Sequence, residues 1–158
     1  IIFLFIFEKT NEKKEITISE DFIRATLLIE KKKNNEAKEL LNSIILAKHK
    51  FYSPLSLNLI INKDLEQDRQ IILNNYNEIL KIKSIEKENL NLFRIKKALI
   101  LFSLKDEENI IKTLNPIINS NSIWKIEATR LIGDYFSSIG ENIKAEEYYK
   151  LLNIKVTE

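Results

Sequence analysis

At 158 residues, 30% charged and 44% hydrophobic, the chain has the balance of one folded domain rather than of a disordered segment. Its formal charge of +2 is too small for binding driven by a basic face, so neither nucleic acid nor an anionic membrane surface is an expected partner. The absence of cysteine removes disulfides, thiolate catalysis and thiolate-held metals, and leaves the compartment open.

The first seven residues, Ile1 to Phe7, are all bulky and apolar, and the run stops at Glu8-Lys9. A membrane span needs about 20 such residues. With no methionine in the chain, the sequence reads as a fragment or a processed product. Residues 1–7 are then expected to be the last two turns of a truncated N-terminal transmembrane anchor, residues 8–16 a polar spacer, and residues 17–158 the folded domain. A buried first strand or helix is the alternative for the apolar run.

From Thr17 onward the chain alternates short amphipathic stretches with polar turns. Thr17-x-x-Glu20 has the spacing of a capping box, with Ser19 as a competing cap, and predicts a helix start. Phe22, Ala25, Leu28 and Ile29 would share one face, Glu30 to Glu36 would turn, and Ala37, Leu40, Leu41, Ile44 and Ile45 form a stripe at helical spacing. Ser53-Pro54 predicts an N-cap followed by proline at the first helical position. Asn62-Lys63-Asp64 breaks that helix, and Ile72, Tyr76, Ile79 and Leu80 mark the next. Phe93 to Phe102 is the most apolar stretch, and Asp106 is a predicted cap. Pro116 should kink or end the helix that follows. Ser122 is the predicted cap for a helix carrying Trp124, Ala128, Leu131, Ile132 and Tyr135. Gly140 supplies a turn, and Ala145, Tyr148, Tyr149 and Leu152 form the return stripe. No strand-like alternation competes, so the predicted class is all-α.

These stretches repeat. Units open near Ser19, Ser53, Lys87 and Ser122, at spacings of 34, 34 and 35. Small residues recur twelve apart, Ala25 with Ala37 and Gly133 with Ala145, with Leu28, Leu41, Phe136 and Tyr149 at the associated bulky positions. This resembles the tetratricopeptide repeat (TPR), and implies a right-handed solenoid of about four helix hairpins, each completing its core against its neighbours. The second and third units keep the period but only half of the small-residue pattern, in Ser56 and Ala98.

A narrower likeness covers almost the whole chain. Asp21-Phe-Ile-Arg-Ala25 leading to Glu36-Ala37-Lys-Glu-Leu40-Leu41, and Ser122-Ile-Trp124-Lys-Ile-Glu-Ala128 with Ile132-Gly133-Asp134-Tyr135 and Ala145-Glu-Glu-Tyr148, resemble the first and last repeats of the YfgM-type family of bacterial inner-membrane proteins, in its alphaproteobacterial members. The resemblance implies one membrane anchor, a repeat domain in the periplasm, and a non-catalytic, chaperone-like adaptor role beside the Sec translocon. Translocon components or periplasmic chaperones would be its protein partners. The alternative is a soluble cytosolic or envelope-assembly TPR scaffold, whose apolar start is only a capping helix.

No residue pattern points to chemistry, and no cofactor or metal is expected. His49 is the only histidine; placed between Lys48 and Lys50 at a helix end, it reads as a cation favoured by the helix C-terminus. Asp106-Glu107-Glu108 is an ordinary acidic first turn. Trp124, Tyr135, Tyr148 and Tyr149 read as core packing in preference to an aromatic platform, with tyrosine hydroxyls at the solvent rim. The partner-binding surface expected from the TPR likeness is the concave face of each unit's first helix. It falls on Glu127, Arg130, Asp134 and Ser137 in the last unit, and on Thr26 and Glu30 in the first. The competing reading of those six is the solvated side of an amphipathic helix.

Overall fold

The computed structural model describes residues 2–153, with side chains for residues 15–152. Eight helices and no strand occur among the described residues: α1 (Ile2–Glu30), α2 (Asn34–Leu46), α3 (Tyr52–Asn62), α4 (Arg69–Leu80), α5 (Lys87–Leu104), α6 (Glu107–Ile118), α7 (Lys125–Ser138) and α8 (Asn142–Asn153). The chain is all-α. It divides into two compact units, Ile1–Ile85 and Glu86–Glu158. In the first, α1 packs on α2 and α3, α2 on α3 and α4, and α3 on α4. In the second, α5 packs on α6 and α7, α6 on α7, and α7 on α8.

One local device closes all four hairpins. Each first helix ends in a residue with left-handed backbone: Lys32 (φ 59°), Asp64 (φ 55°), Lys105 (φ 57°) and Gly140 (φ 83°). The next residue's N–H then reaches back to a carbonyl in the last turn: Lys33 to Leu28 (2.9 Å), Leu65 to Ile60 (2.9 Å), Asp106 to Leu101 (3.1 Å) and Glu141 to Phe136 (2.9 Å). The left-handed residue itself donates to Ile29, Ile61, Phe102 and Ser137 respectively. This double closure satisfies carbonyls that a helix end leaves unpaired, and turns the chain within a few residues. Only Gly140 adopts the conformation without a Cβ penalty, which for other residues costs about 1–2 kcal/mol.

The apolar stripes predicted from spacing make the core. Ala25, Ala37, Leu41, Ile44, Ile45, Leu57, Ile60 and Ile79 are buried in the first unit, and Ala98, Ile110, Leu114, Ile117, Ala128, Ile132, Tyr135 and Phe136 in the second. Each large side chain taken from water contributes about 1.5–3 kcal/mol. The small residues permit close approach. At Gly133 an added Cβ would stand 2.6 Å from Cε1 and 2.9 Å from Cδ1 of Tyr149, so the tyrosine ring lies directly on the α7 backbone. Beside it, the rings of Phe136 and Tyr148 stack at 5.7 Å, and the Lys144 ammonium sits 5.0 Å from the Phe136 centroid.

Several predicted boundaries move. The helix does not start at Thr17: α1 is continuous from Ile2 through the spacer and the capping box, and Ser19 Oγ donates to Ile16 O (2.8 Å) inside it. A cap needs a backbone entering from outside the helix, and here the preceding turn already supplies the partners. Side chains of the apolar run lie outside the described residues. No helix among the described residues is long and apolar enough to cross a membrane. Ser53 is not the cap of α3, which begins at Tyr52; its buried hydroxyl donates across to Ile44 O (2.7 Å) in α2. Pro54 therefore sits third in the helix, still within the first turn where no donor is required. Pro116 lies inside α6, which runs on to Ile118. Its ring is on the exposed side, so the Lys112 carbonyl it leaves unpaired can face water. Asp106 caps α6 as expected, accepting from Asn109 N (3.2 Å).

Candidate functional site

The six residues picked from the sequence lie on two first helices, one in each unit. On α1, Thr26 and Glu30 are one turn apart; Thr26 is half-buried and Glu30 exposed. The Thr26 hydroxyl donates to Ile23 O (2.7 Å) within the helix. Ile16, Ile23 and Leu27 fall on the same side of the helix at spacings of seven and four, and all three are exposed although large and apolar.

On α7, Glu127, Arg130, Asp134 and Ser137 are all exposed and one turn apart in succession. Arg130 Nη1 pairs with Glu127 Oε2 at 3.2 Å. Ile123, just before the helix, is 77% exposed and Ile126 is 50% exposed beside this pair. Asp134 does not stand free. Its Oδ1 accepts the Tyr149 hydroxyl at 2.7 Å, tying α7 to α8. That carboxylate opposes a phenolate beside it and pushes the Tyr149 hydroxyl above its ordinary value, with burial adding to the effect. Asp134 thus commits much of its hydrogen-bonding capacity inside the hairpin, whereas Glu127 and Arg130 present a charged pair to solvent.

The loop before α7 is fixed by a network that sequence reasoning resolved only in part. Ser122 Oγ accepts from Trp124 N (3.1 Å), which is the expected capping bond, although α7 starts three residues later at Lys125. The same oxygen donates to Glu88 Oε2 (2.6 Å) and accepts from Asn91 Nδ2 (3.0 Å), both on α5. Trp124 Nε1 donates to Glu88 O (3.1 Å), so the indole is a half-buried anchor on the α5 start. Tyr135 donates to Lys105 O (3.3 Å) in a part-buried bond, whereas Tyr149 donates to Asp134 at the exposed surface.

His49 also departs from its expected role. Helix α2 ends at Leu46, and the imidazole Nδ1 accepts from the backbone N–H groups of Phe51 (3.1 Å) and Tyr52 (3.0 Å) at the start of α3. A ring nitrogen that accepts two N–H bonds carries no proton, so His49 caps the next helix instead of serving as a cation on the last one. In the α3–α4 loop Asp68 caps α4, accepting from Gln70 N (2.7 Å) and Ile71 N (3.4 Å), and Glu66 holds the loop ahead of it. Its Oε1 accepts from Gln67 N (2.9 Å) and Asp68 N (3.0 Å), while Oε2 pairs with Lys38 of α2 (3.2 Å). These bonds, the Asp68 N–H foremost, hold the Glu66 carboxyl below its ordinary value.

No group of three or more His, Asp or Glu side chains among the described residues is placed to hold a metal ion. Comparison with protein-family models, with curated proteins and with solved structures finds no match to this sequence. The fold and the surface together define an all-α protein of helix hairpins, whose first helices carry uncovered apolar and charged side chains.

Proposed function

We propose that the protein is a non-catalytic adaptor, built as a TPR-like solenoid, that binds a protein partner along the first helices of its hairpins. The observation that carries this reading is the company kept by the sequence-picked residues. Thr26 and Glu30 flank Ile23 and Leu27, and Glu127 and Arg130 flank Ile123 and Ile126, with the large apolar side chains left uncovered. Apolar anchors rimmed by charge are what a polypeptide partner buries, and uncovered apolar side chains grouped in this way mark interaction surfaces. The recurrence of one turn in all four hairpins supports the repeat reading, because equivalent units are what a solenoid stacks. The export-side address, with an N-terminal anchor, the Sec machinery and periplasmic chaperones as neighbours, rests on the likeness to YfgM-type proteins. A second reading, a scaffold whose apolar start is a capping helix, draws on the unbroken run of α1 through Thr17–Glu20.

Photo-crosslinking in cells tests the adaptor reading. A benzophenone group at Leu27 or at Ile126 should trap a protein partner. The same group at Glu39 or Glu146, exposed positions on second helices, should not. Equal crosslinking at all four positions, or at none, would sink it.

A further inference from the structure

The turn between α2 and α3 builds a charged cavity that the faces on α1 and α7 do not use. It measures about 370 Å³ and is lined by Glu15, Ile18, Lys48, His49, Lys50 and Ser84 among others. His49 sets its chemistry. With Nδ1 committed to the Phe51 and Tyr52 N–H groups, the proton of the neutral ring is on Nε2. The ring is held against Tyr52 at 5.1 Å between centroids, and the imidazole is 15% exposed. The cavity therefore has a fixed N–H donor rather than a rotating one.

Lys48 and Lys50 line the same space. Lys48 Nζ lies 3.5 Å from Glu78 Oε2, and Lys50 forms no ion pair among the described residues. Ser84 adds a hydroxyl. Among the described residues the one carboxylate in the lining is Glu15 of α1, whose Oε1 stands 3.7 Å from His49 Nε2. That is beyond hydrogen-bond length, and the Glu15 side chain is 70% exposed, so it approaches the donor without being held there. A fixed donor, an available lysine and a loosely placed internal carboxylate describe a carboxylate site with its own stand-in.

We propose that this cavity binds a carboxylate of a partner polypeptide, with His49 Nε2–H and Lys50 as its donors and Glu15 as the competitor it displaces. The partner class rests on the protein-binding reading above. The carboxylate is that of an aspartate or glutamate, or of a polypeptide's C-terminus, which present the same oxygens to the same donors.

The single histidine makes the test direct, because its Cε1–H signal in an NMR titration is unique. The probes are a hexapeptide with one central glutamate, made with a free or an amidated C-terminus, and inorganic phosphate. A saturable shift of the His49 signal with peptide is expected. Glu15→Gln should tighten binding by roughly threefold to tenfold, as expected for removing one nearby, partly screened like charge. Lys50→Glu should weaken it at least tenfold, with an unchanged denaturation midpoint. Response to the amidated peptide would assign a side-chain source, and response only to the free acid a terminal one. A His49 signal unmoved by either peptide, a response to phosphate alone, or equal affinity in all three proteins would overturn the proposal. If crosslinking at Leu27 and Ile126 succeeds while the titration fails, the carboxylate site falls and the adaptor reading stands. If the titration succeeds without crosslinks, the carboxylate site stands and binding along the first helices falls.

Discussion

Gly133 allows two opposing effects to be separated in one experiment. In the middle of a helix, alanine is favoured over glycine by about 0.8–1 kcal/mol, because glycine has more backbone freedom to lose. At this position the added Cβ would lie 2.6 Å from Tyr149 Cε1, against an ordinary carbon–carbon contact of about 3.5–4 Å. The ring must therefore move by roughly 1 Å. A side chain pushed off its rotamer costs about 0.5–1.5 kcal/mol, and loss of the Tyr149–Asp134 hydrogen bond costs about 1 kcal/mol. Gly133→Ala should thus destabilise the protein by about 1 kcal/mol net. In a Tyr149→Ala background the clash is gone and only the helix preference remains, so the same substitution should stabilise by about 0.5–1 kcal/mol. Urea denaturation followed by Trp124 fluorescence reads the second unit, where both residues lie, and the midpoint shift at constant slope gives each value. The same sign in both backgrounds would refute the claim that Tyr149 rests on the Gly133 backbone.

Other consequences follow from the turns, the buried polar groups and the Glu66 carboxylate. Lys32→Gly and Lys105→Gly should each raise stability by about 0.5–1 kcal/mol in chemical denaturation, and Asp64→Gly by less, because aspartate tolerates the left-handed region better than lysine. Ser56 is buried and its hydroxyl has no partner among the described residues, so Ser56→Ala should stabilise by about 1 kcal/mol; a loss of stability would show that the hydroxyl is satisfied. Ser122→Ala should cost about 2–3 kcal/mol, more than a simple cap, because it strips a partner from Asn91, which is buried, and from Glu88. The Glu66 carboxyl titrates lower in the fold than its ordinary 4.5, so its contribution is complete above that value and is lost as pH falls through the depressed one. Glu66→Gln should lower stability at neutral pH and flatten the acid limb of the stability curve; a parallel limb would place the acid sensitivity elsewhere.

How far the sequence could be read depended on the kind of interaction. Helical stripes were legible because burial follows spacing: Ala37, Leu41, Ile44 and Ile45 are buried where the period puts them. The twelve-residue pair Gly133 and Ala145 was legible because close approach requires small side chains, and Tyr149 fills the gap. The turn at Gly140 announced itself, whereas Lys32, Asp64 and Lys105 adopt the same backbone with residues that do not advertise it. Caps misled for a related reason. A serine oxygen serves equally well as a cap, as in-helix back-bonding at Ser19, or as a tether between helices at Ser53, and only the packing chooses. His49 departs from the role its position suggests because its partner is the start of the next helix rather than the end of its own. Of the six candidate binding residues, the exposure of Glu127 and Arg130 was predictable from the apolar stripe opposite. Capture of Asp134 by Tyr149 was not, since it depends on how α8 crosses α7.

The most direct measurement replaces Ile23, Leu27 and Ile126 together with serine and follows both stability and partner capture. If these side chains are uncovered contact positions on the two units, stability should fall by no more than about 0.5 kcal/mol for each substitution, as for other surface changes, while affinity capture of the partner identified by crosslinking drops at least tenfold. A large loss of stability with capture unchanged would mean that these residues serve the fold and that the partner-binding face lies elsewhere.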